Sequence, residues 1–260
     1  MALLPSQSGR GFIIAGHSHL FTMGMDQGYD GPAILKPAQN WGADGFFLLD
    51  SWRGGRPGEY WDRLIAEANG REIVLSYAGN QHHSDFLFMH GGTFDFVWSD
   101  QEPNVLADSD VIPKRAVKAY IDWTLRDLRM LVPALYEAGA SHVLLLGSPG
   151  QRQDVQSYAQ KLLDTEFARD FAGRQGVNIE DMSVRPASVL QKLWRVMQES
   201  QACLATDTHA TFVAVPEVSL TEDGFLAPDM NGNDLSHANF KFGQMMADKA
   251  VNAIMEMRAR

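Results

Sequence analysis

Five short runs of almost continuous apolar residues constrain the fold of this chain more than any other feature. A strand exposed on one face alternates apolar and polar residues, whereas a strand buried on both faces is apolar throughout. The runs are therefore predicted to be strands of a parallel sheet that is covered on both sides. They are residues 12–15, 45–49, 72–75, 142–146 and 211–215.

Helical patterns lie between or after these runs. The longest pattern repeats its apolar residues at helical spacing, Gly139 follows it as a C-terminal stop, and Pro133 is expected to kink its last turns. The predicted helices are 60–68, 114–138, 154–171, 186–203 and 237–258. Strand alternating with helix predicts one domain over residues 1–260: a three-layer α/β/α sandwich with a five-stranded parallel sheet, flavodoxin-like in outline.

Charge and cysteine content exclude several classes of partner. The net charge of the 260-residue chain is −10, and no basic run stands against it, so neither nucleic acid nor an anionic membrane surface is an expected partner. The single cysteine, Cys203, cannot form an intramolecular disulfide. Apolar runs are all too short for a signal-peptide core or a membrane span. A cytoplasmic protein is the expectation from these features.

Residues suited to a catalytic site follow four of the predicted strands. Ser18 comes after the first strand, Gly54 and Gly55 after the second, and Asn80 after the third. The segment 229–237, which precedes the last helix, ends in Asp-Leu-Ser-His. Because ligands bind at the carboxyl ends of strands in open α/β sheets, these residues are predicted to meet at one edge.

Together these residue types suit nucleophilic catalysis. A serine hydroxyl is a weak nucleophile at neutral pH and needs an adjacent base, for which neutral histidine is suited. Asp234 lies three residues before His237 and is expected to fix the orientation of its ring. The Ser18 N–H, a glycine N–H and the Asn80 amide are candidate donors to a tetrahedral oxyanion.

The order of these blocks resembles the SGNH (GDSL-like) hydrolases and esterases. That family has a serine motif after strand one, a glycine after strand two, Gly-x-Asn after strand three and Asp-x-x-His before the last helix. The most specific match is Asp234-Leu235-Ser236-His237. The resemblance implies Ser18 as nucleophile, His237 as base, Asp234 as its orienting acid, and an oxyanion hole from Gly54 or Gly55 with Asn80.

Two positions depart from the family pattern. The family has an aspartate before the nucleophile and another after the oxyanion asparagine, where this chain has His17 and Gln81. Neither is a triad position, so the reaction is still expected. The hydrogen bonds around the two loops must differ, and the chain is interpreted as a divergent branch.

Extra histidines surround the predicted nucleophile. They are His17, His19, His82, His83 and His90. Imidazole clusters bind Zn²⁺ when a carboxylate joins them, but neither a His-Glu-x-x-His helix nor a spaced Cys/His set is present. A structural or substrate-contact role is therefore favoured over a metal site. The sequence also allows His19 and His83 to be exposed to solvent. No metal and no organic cofactor is expected.

The segment 78–113 is long for a connection and rich in aromatic residues, so it is interpreted as an active-site loop. Its aromatic side chains either form a small core of their own or line a substrate pocket or a dimer contact. Candidate substrate contacts are His17, Trp52, Arg53, His82 and Phe86.

The sequence thus predicts a serine esterase that cleaves a carboxylic ester through an acyl-serine intermediate. A short acyl group on a small molecule or a glycan is the expected substrate. Three alternatives stay open: acyl transfer to a sugar hydroxyl, metal-assisted hydrolysis at the same site, and a non-catalytic carbohydrate-binding module on this scaffold.

Overall fold

The computed structural model describes residues 11–16, 18–23, 33–35, 43–47, 58–77, 80–234 and 237–259. The strands are β1 Phe12–Gly16, β2 Ala33–Leu35, β3 Ala43–Phe47, β4 Glu72–Ser76, β5 Phe88–His90, β6 Phe94–Asp95, β7 Asp110–Val111, β8 His142–Leu146, β9 Met182–Val184 and β10 Thr211–Val213. The α-helices are α1 Gly58–Glu67, α2 Gln81–Ser84, α3 Lys114–Thr124, α4 Arg126–Glu137, α5 Ala159–Leu163, α6 Glu166–Gln175, α7 Ala187–Asp207 and α8 Phe240–Arg258.

The central sheet has the strand order β10-β8-β4-β1-β3-β2. Parallel pairings join β10, β8, β4, β1 and β3, which contain or overlap the five predicted apolar runs. β2 pairs antiparallel with β3 at the edge, so the described residues form six strands of this sheet rather than the five expected. The predicted α/β class and parallel arrangement are confirmed.

Alternate residues of the central strands pack into two separate cores, which explains why the strands are apolar throughout. Ile13 and Ala15 of β1 face a core built with α1, α3, α4 and α7. Phe12 and Ile14 face a second core built mainly with α8. Helices therefore cover both faces of the sheet, as the three-layer prediction required.

The predicted long helix 114–138 is two helices, α3 and α4, and the break lies at Leu125 rather than at Pro133. Leu125 has φ −91° and ψ 5°, outside the helical range. The Thr124 hydroxyl donates to the Ile121 carbonyl oxygen at 2.6 Å and competes with the backbone there. Pro133 lies inside α4, so the helix does not end there.

The segment after β4 is anchored to the rest of the fold. β5 pairs antiparallel with β9, and Leu87, Phe88 and Phe96 are buried in the core that contains α7. The sequence left two alternatives for the aromatic residues of this segment: a core, or the lining of a pocket or a dimer contact. The buried ones belong to a core. No helix in the described ranges is long and apolar enough to cross a bilayer.

Candidate active site

The topology brings the strand that precedes Ser18 beside the strand that precedes Asn80. β1 and β4 are neighbours in the sheet. After β1 the chain continues toward one edge of the sheet, where β3 lies, and after β4 it continues toward the other edge, where β8 lies. This is the switch point at which open α/β sheets bind ligands. Gly16 permits the approach of the two strands, because a Cβ there would overlap the Ser76 carbonyl.

Ser18 is the first residue of a 3₁₀-helix, Ser18–Met23, that begins just beyond β1. The N–H of the first residue of such a helix has no partner within the helix. The Ser18 side chain is half-buried, and its Oγ lies 2.5 Å from His237 Nε2.

His237 lies in a tight turn that precedes α8. Asn231 and Ala238 form an antiparallel bridge, and the Gly232 N–H donates to the His237 carbonyl oxygen at 3.1 Å. The helix itself begins later than predicted, because Asn239 is its N-cap and accepts from the Phe242 N–H. His237 is therefore held in the turn, outside the helix.

Asp234 contacts His237 through both carboxylate oxygens. Nδ1 of His237 lies 2.8 Å from Oδ2 and 3.0 Å from Oδ1, and Oδ1 also accepts from the His237 backbone N–H at 2.8 Å. A carboxylate only accepts hydrogen bonds, so Nδ1 carries a proton, and Nε2 is the ring nitrogen that faces Ser18. Asp234 shapes the turn as well as orienting the ring, whereas the cap of α8 is Asn239.

Asn80 lies at the start of α2 and shares a cavity with His237. Its side chain makes no capping hydrogen bond, so its amide is not used to hold the helix. The cavity is lined by Asn80, His82, His83, Pro149, Gly150, Arg152, Leu226, His237 and Ala238.

The described histidines on the two loops are mostly buried. His19 and His83 are 6% and 5% exposed, so the possibility that they face solvent is wrong. The His19 ring lies 5.1 Å from that of His237, and His82 packs against His83 at 4.3 Å. His90 is exposed.

His83 is a neutral imidazole. Burial lowers its pKa to about 4. Its Nε2 bonds Gln151 Oε1 at 2.7 Å, while its Nδ1 has no partner among the described residues. Among those residues no group of three His, Cys, Asp or Glu side chains is arranged to hold a metal.

The other predicted site residues are placed as follows. Phe86 packs edge-on against Phe94 and Tyr120 and is not part of the cavity lining. The remaining candidates lie outside the described residues: His17, Trp52, Arg53, Gly54 and Gly55.

Sequence reasoning missed Gln151 and Arg152, which follow β8 and reach both site loops. Arg152 donates to the carbonyl oxygens of Gly232 and Asp234, at 3.2 and 3.0 Å. The signal was present, because polar residues shortly after a buried strand lie at the ligand-binding edge of the sheet.

Comparison with known proteins gives structural neighbours only. No protein-family model matches the chain, and no curated protein matches it. An extracellular lipase from Streptomyces rimosus has 15% sequence identity and a TM-score of 0.49, covering 95% of this chain and 99% of its own. A candidate acylhydrolase from Bacteroides fragilis has 10% identity and a TM-score of 0.48, covering 96% and 90%.

A third neighbour is a GDSL-like lipase from Bacteroides thetaiotaomicron, with 11% identity and a TM-score of 0.46, covering 98% of this chain and 93% of its own. The chain is similar to acylhydrolases and GDSL-like lipases. At these identities, what the site does is inferred from its own side chains.

Proposed function

We propose that the protein is a serine esterase that cleaves a carboxylic ester through an acyl-serine intermediate. The observation that carries this proposal is the continuous hydrogen-bonded chain from Ser18 Oγ through His237 to the Asp234 carboxylate. Each atom in that chain has the role that nucleophilic catalysis requires: a hydroxyl, an unprotonated ring nitrogen facing it, and a carboxylate behind the ring.

In the acylation step, Ser18 Oγ attacks the ester carbonyl carbon while its proton passes to His237 Nε2. The carbonyl oxygen becomes an oxyanion on a tetrahedral carbon. Collapse of this intermediate breaks the bond to the leaving alcohol oxygen, which takes the proton from Nε2. Asp234 stabilises the imidazolium that exists between the two proton transfers.

Deacylation repeats the same steps with water as nucleophile. His237 Nε2 takes a proton from water, the hydroxyl oxygen attacks the acyl carbon, and Ser18 Oγ leaves with the proton returned from His237. The carboxylic acid is released and the serine is regenerated. No cofactor is needed to balance either half-reaction.

The proposed oxyanion donors are the Ser18 N–H, the Asn80 amide, and an N–H of Gly54 or Gly55. Asn80 supports this assignment because it shares a cavity with His237 and its side chain makes no capping hydrogen bond to α2. One such donor contributes roughly 2.7–4 kcal/mol to transition-state stabilisation in a well-studied serine protease.

We further propose that the substrate is a polar ester with a short acyl group, on a small molecule or a glycan. The described part of the cavity supports this, since its lining includes the Asn80 amide and three imidazoles and has few large apolar side chains. His17, Trp52, Arg53 and His82 are the proposed substrate contacts.

A chain-length series tests both the reaction and the acyl preference. The expected result is turnover of p-nitrophenyl acetate that declines through butyrate and octanoate, and loss of about 10⁴-fold or more in Ser18→Ala and His237→Ala. Turnover that survives in Ser18→Ala would contradict the serine mechanism. A rate that rises with chain length would contradict only the acyl preference.

A further inference from the structure

One short segment contacts both halves of the proposed catalytic machinery. Gln151 and Arg152 follow the turn after β8 and are 0% and 5% exposed. The side chain of Gln151 points to the Asn80 loop through His83, and that of Arg152 points to the turn that carries Asp234 and His237. Buried polar side chains of this kind are retained only when their hydrogen bonds are satisfied.

The hydrogen bonds of Gln151 fix which atom faces His83. Its Nε2 donates to the Arg152 carbonyl oxygen at 2.8 Å, which leaves Oε1 to accept from His83. His83 Nε2 therefore carries the ring proton, in agreement with the neutral state that burial imposes. His83 is tied in turn to Asn80, because its backbone N–H donates to the Asn80 carbonyl oxygen at 2.8 Å.

Arg152 uses almost all of its donors within the protein. Nε and Nη2 bind the two carboxylate oxygens of Asp154 at 3.0 and 2.9 Å, and Nη1 binds the Gly232 and Asp234 carbonyl oxygens. Its pKa is raised by the hydrogen bond with Asp154 and also by one with Tyr158. A guanidinium has five N–H groups, and almost all of these are used on protein acceptors. Arg152 therefore holds the turn in place and does not bind substrate.

The segment itself is attached to the longest helix. Trp194 Nε1 of α7 donates to the Ser148 carbonyl oxygen at 3.1 Å, and Gln198 Nε2 donates to Ser148 Oγ at 3.0 Å. The Leu226 N–H donates to the Gln151 carbonyl oxygen at 2.9 Å. One stretch of chain therefore links both site loops to α7.

We propose that Gln151 and Arg152 are positioning residues that set the distance between the Asn80 loop and the Asp234–His237 turn. This inference rests on the proposed function. Neither residue touches the reacting atoms: each acts through a loop that carries an atom of the catalytic machinery. Misplacement by about 1 Å is enough to lower a catalytic rate by about 10²-fold.

Arg152→Lys tests the arginine arm, with Arg258→Lys as the matched control. The Arg258 side chain is 10% exposed, against 6% for that of Arg152, and it also binds a carboxylate through two nitrogens, but its partner is Glu72, at the opposite end of β4 from the site. Lysine keeps the charge and loses the planar fork in both variants. We expect Arg152→Lys to lower kcat for p-nitrophenyl acetate about tenfold or more with KM changed less than about threefold.

Gln151→Met tests the glutamine arm, with Thr208→Val as its control. Thr208 is also buried, its hydroxyl donates to the Leu204 carbonyl oxygen at 2.7 Å at the end of α7, and it lies just before β10, at the opposite end of that strand from the site. We expect the same kcat-selective loss in Gln151→Met, and kcat within about twofold of native in both control variants, since distant sites act independently.

Hydrogen exchange supplies a readout that does not depend on activity. Arg152→Lys should speed exchange of the Gly232 and His237 amides, and Gln151→Met that of the His83 and Ser84 amides, by about tenfold or more. Equal kcat and equal exchange in each variant and its control would overturn the inference. If native protein lacks turnover, the proposed function fails, and the exchange data still decide the positioning role.

Discussion

Gly243 lies where α8 crosses the 3₁₀-helix that carries Ser18, and Gly243→Ala should separate the nucleophile from its base. A Cβ at this position would overlap the carbonyl oxygen of Thr22 and would lie 2.6 Å from Thr22 Oγ1. Both obstacles belong to the segment Ser18–Met23, and the first is backbone. The added methyl therefore cannot be accommodated by a side-chain rotation alone.

The size of the effect follows from the distances. A carbon and a carbonyl oxygen make their closest favourable contacts at about 3.3 Å, so the two helices must separate by on the order of 1 Å. A shift of that size along the bond would stretch the 2.5 Å distance between Ser18 Oγ and His237 Nε2 to about 3.5 Å. We expect kcat to fall about 10²-fold and stability to fall by about 1–3 kcal/mol.

The assay is steady-state hydrolysis of p-nitrophenyl acetate, with the folded fraction checked by circular dichroism and urea unfolding. Gly173→Ala in α6 is the control, because its Cβ would meet nothing within 4 Å. That change should leave kcat unaltered and raise stability by roughly 1 kcal/mol. A folded Gly243→Ala protein with native kcat would refute the argument that this crossing sets the Ser18–His237 distance.

Three further predictions concern the cavity. Asn80→Ala should lower kcat by about 10²–10³-fold with little change in thermal midpoint, and a native kcat would remove Asn80 from the oxyanion hole. The pKa of His83 is about 4 in the folded protein and 6.5 in the unfolded chain, so the unfolded chain binds the proton more readily. The stabilisation that comes from keeping His83 neutral is therefore full above pH 6.5 and is lost as the pH falls toward 4. The free energy of unfolding should fall by about 3 kcal/mol over this range (2.5 pH units at about 1.36 kcal/mol each). Urea unfolding at pH 7 and at pH 4.5 measures this fall. The fall should be smaller in His83→Gln than in native protein or in the control variant His142→Gln. Chelation by EDTA should leave ester hydrolysis unchanged, and a loss restored by Zn²⁺ would favour the metal-assisted route.

The sheet was predictable because burial on both faces leaves an unmistakable pattern of apolar residues. The five parallel strands and helices α1 and α7 follow from that pattern and from helical spacing. β2 did not, because three residues at a sheet edge are too short to show periodicity. β5 and β9 were also missed. They pair with each other across a long stretch of chain, and such a pairing leaves no local pattern in the sequence.

The site was predictable in its residue types and less so in its supports. Ser18, Asp234 and His237 could be paired from their order after the strands. The neutral state of His83 follows from its burial in the folded protein, and its ring proton is directed to Gln151, a partner 68 residues away. The start of α8 at Phe240, three residues later than predicted, is set by Asn239 as the N-cap, which the folded turn places there.

Labelling by a fluorophosphonate, followed by intact mass measurement, tests the central claim most directly. The reagent reacts with a serine only when a neighbouring base activates its hydroxyl, so it reports on the Ser18–His237 pair without knowledge of the substrate. The account predicts one phosphonyl adduct on the native protein, at Ser18, and none on Ser18→Ala. An unlabelled native protein, or an equal adduct on Ser18→Ala, would contradict it.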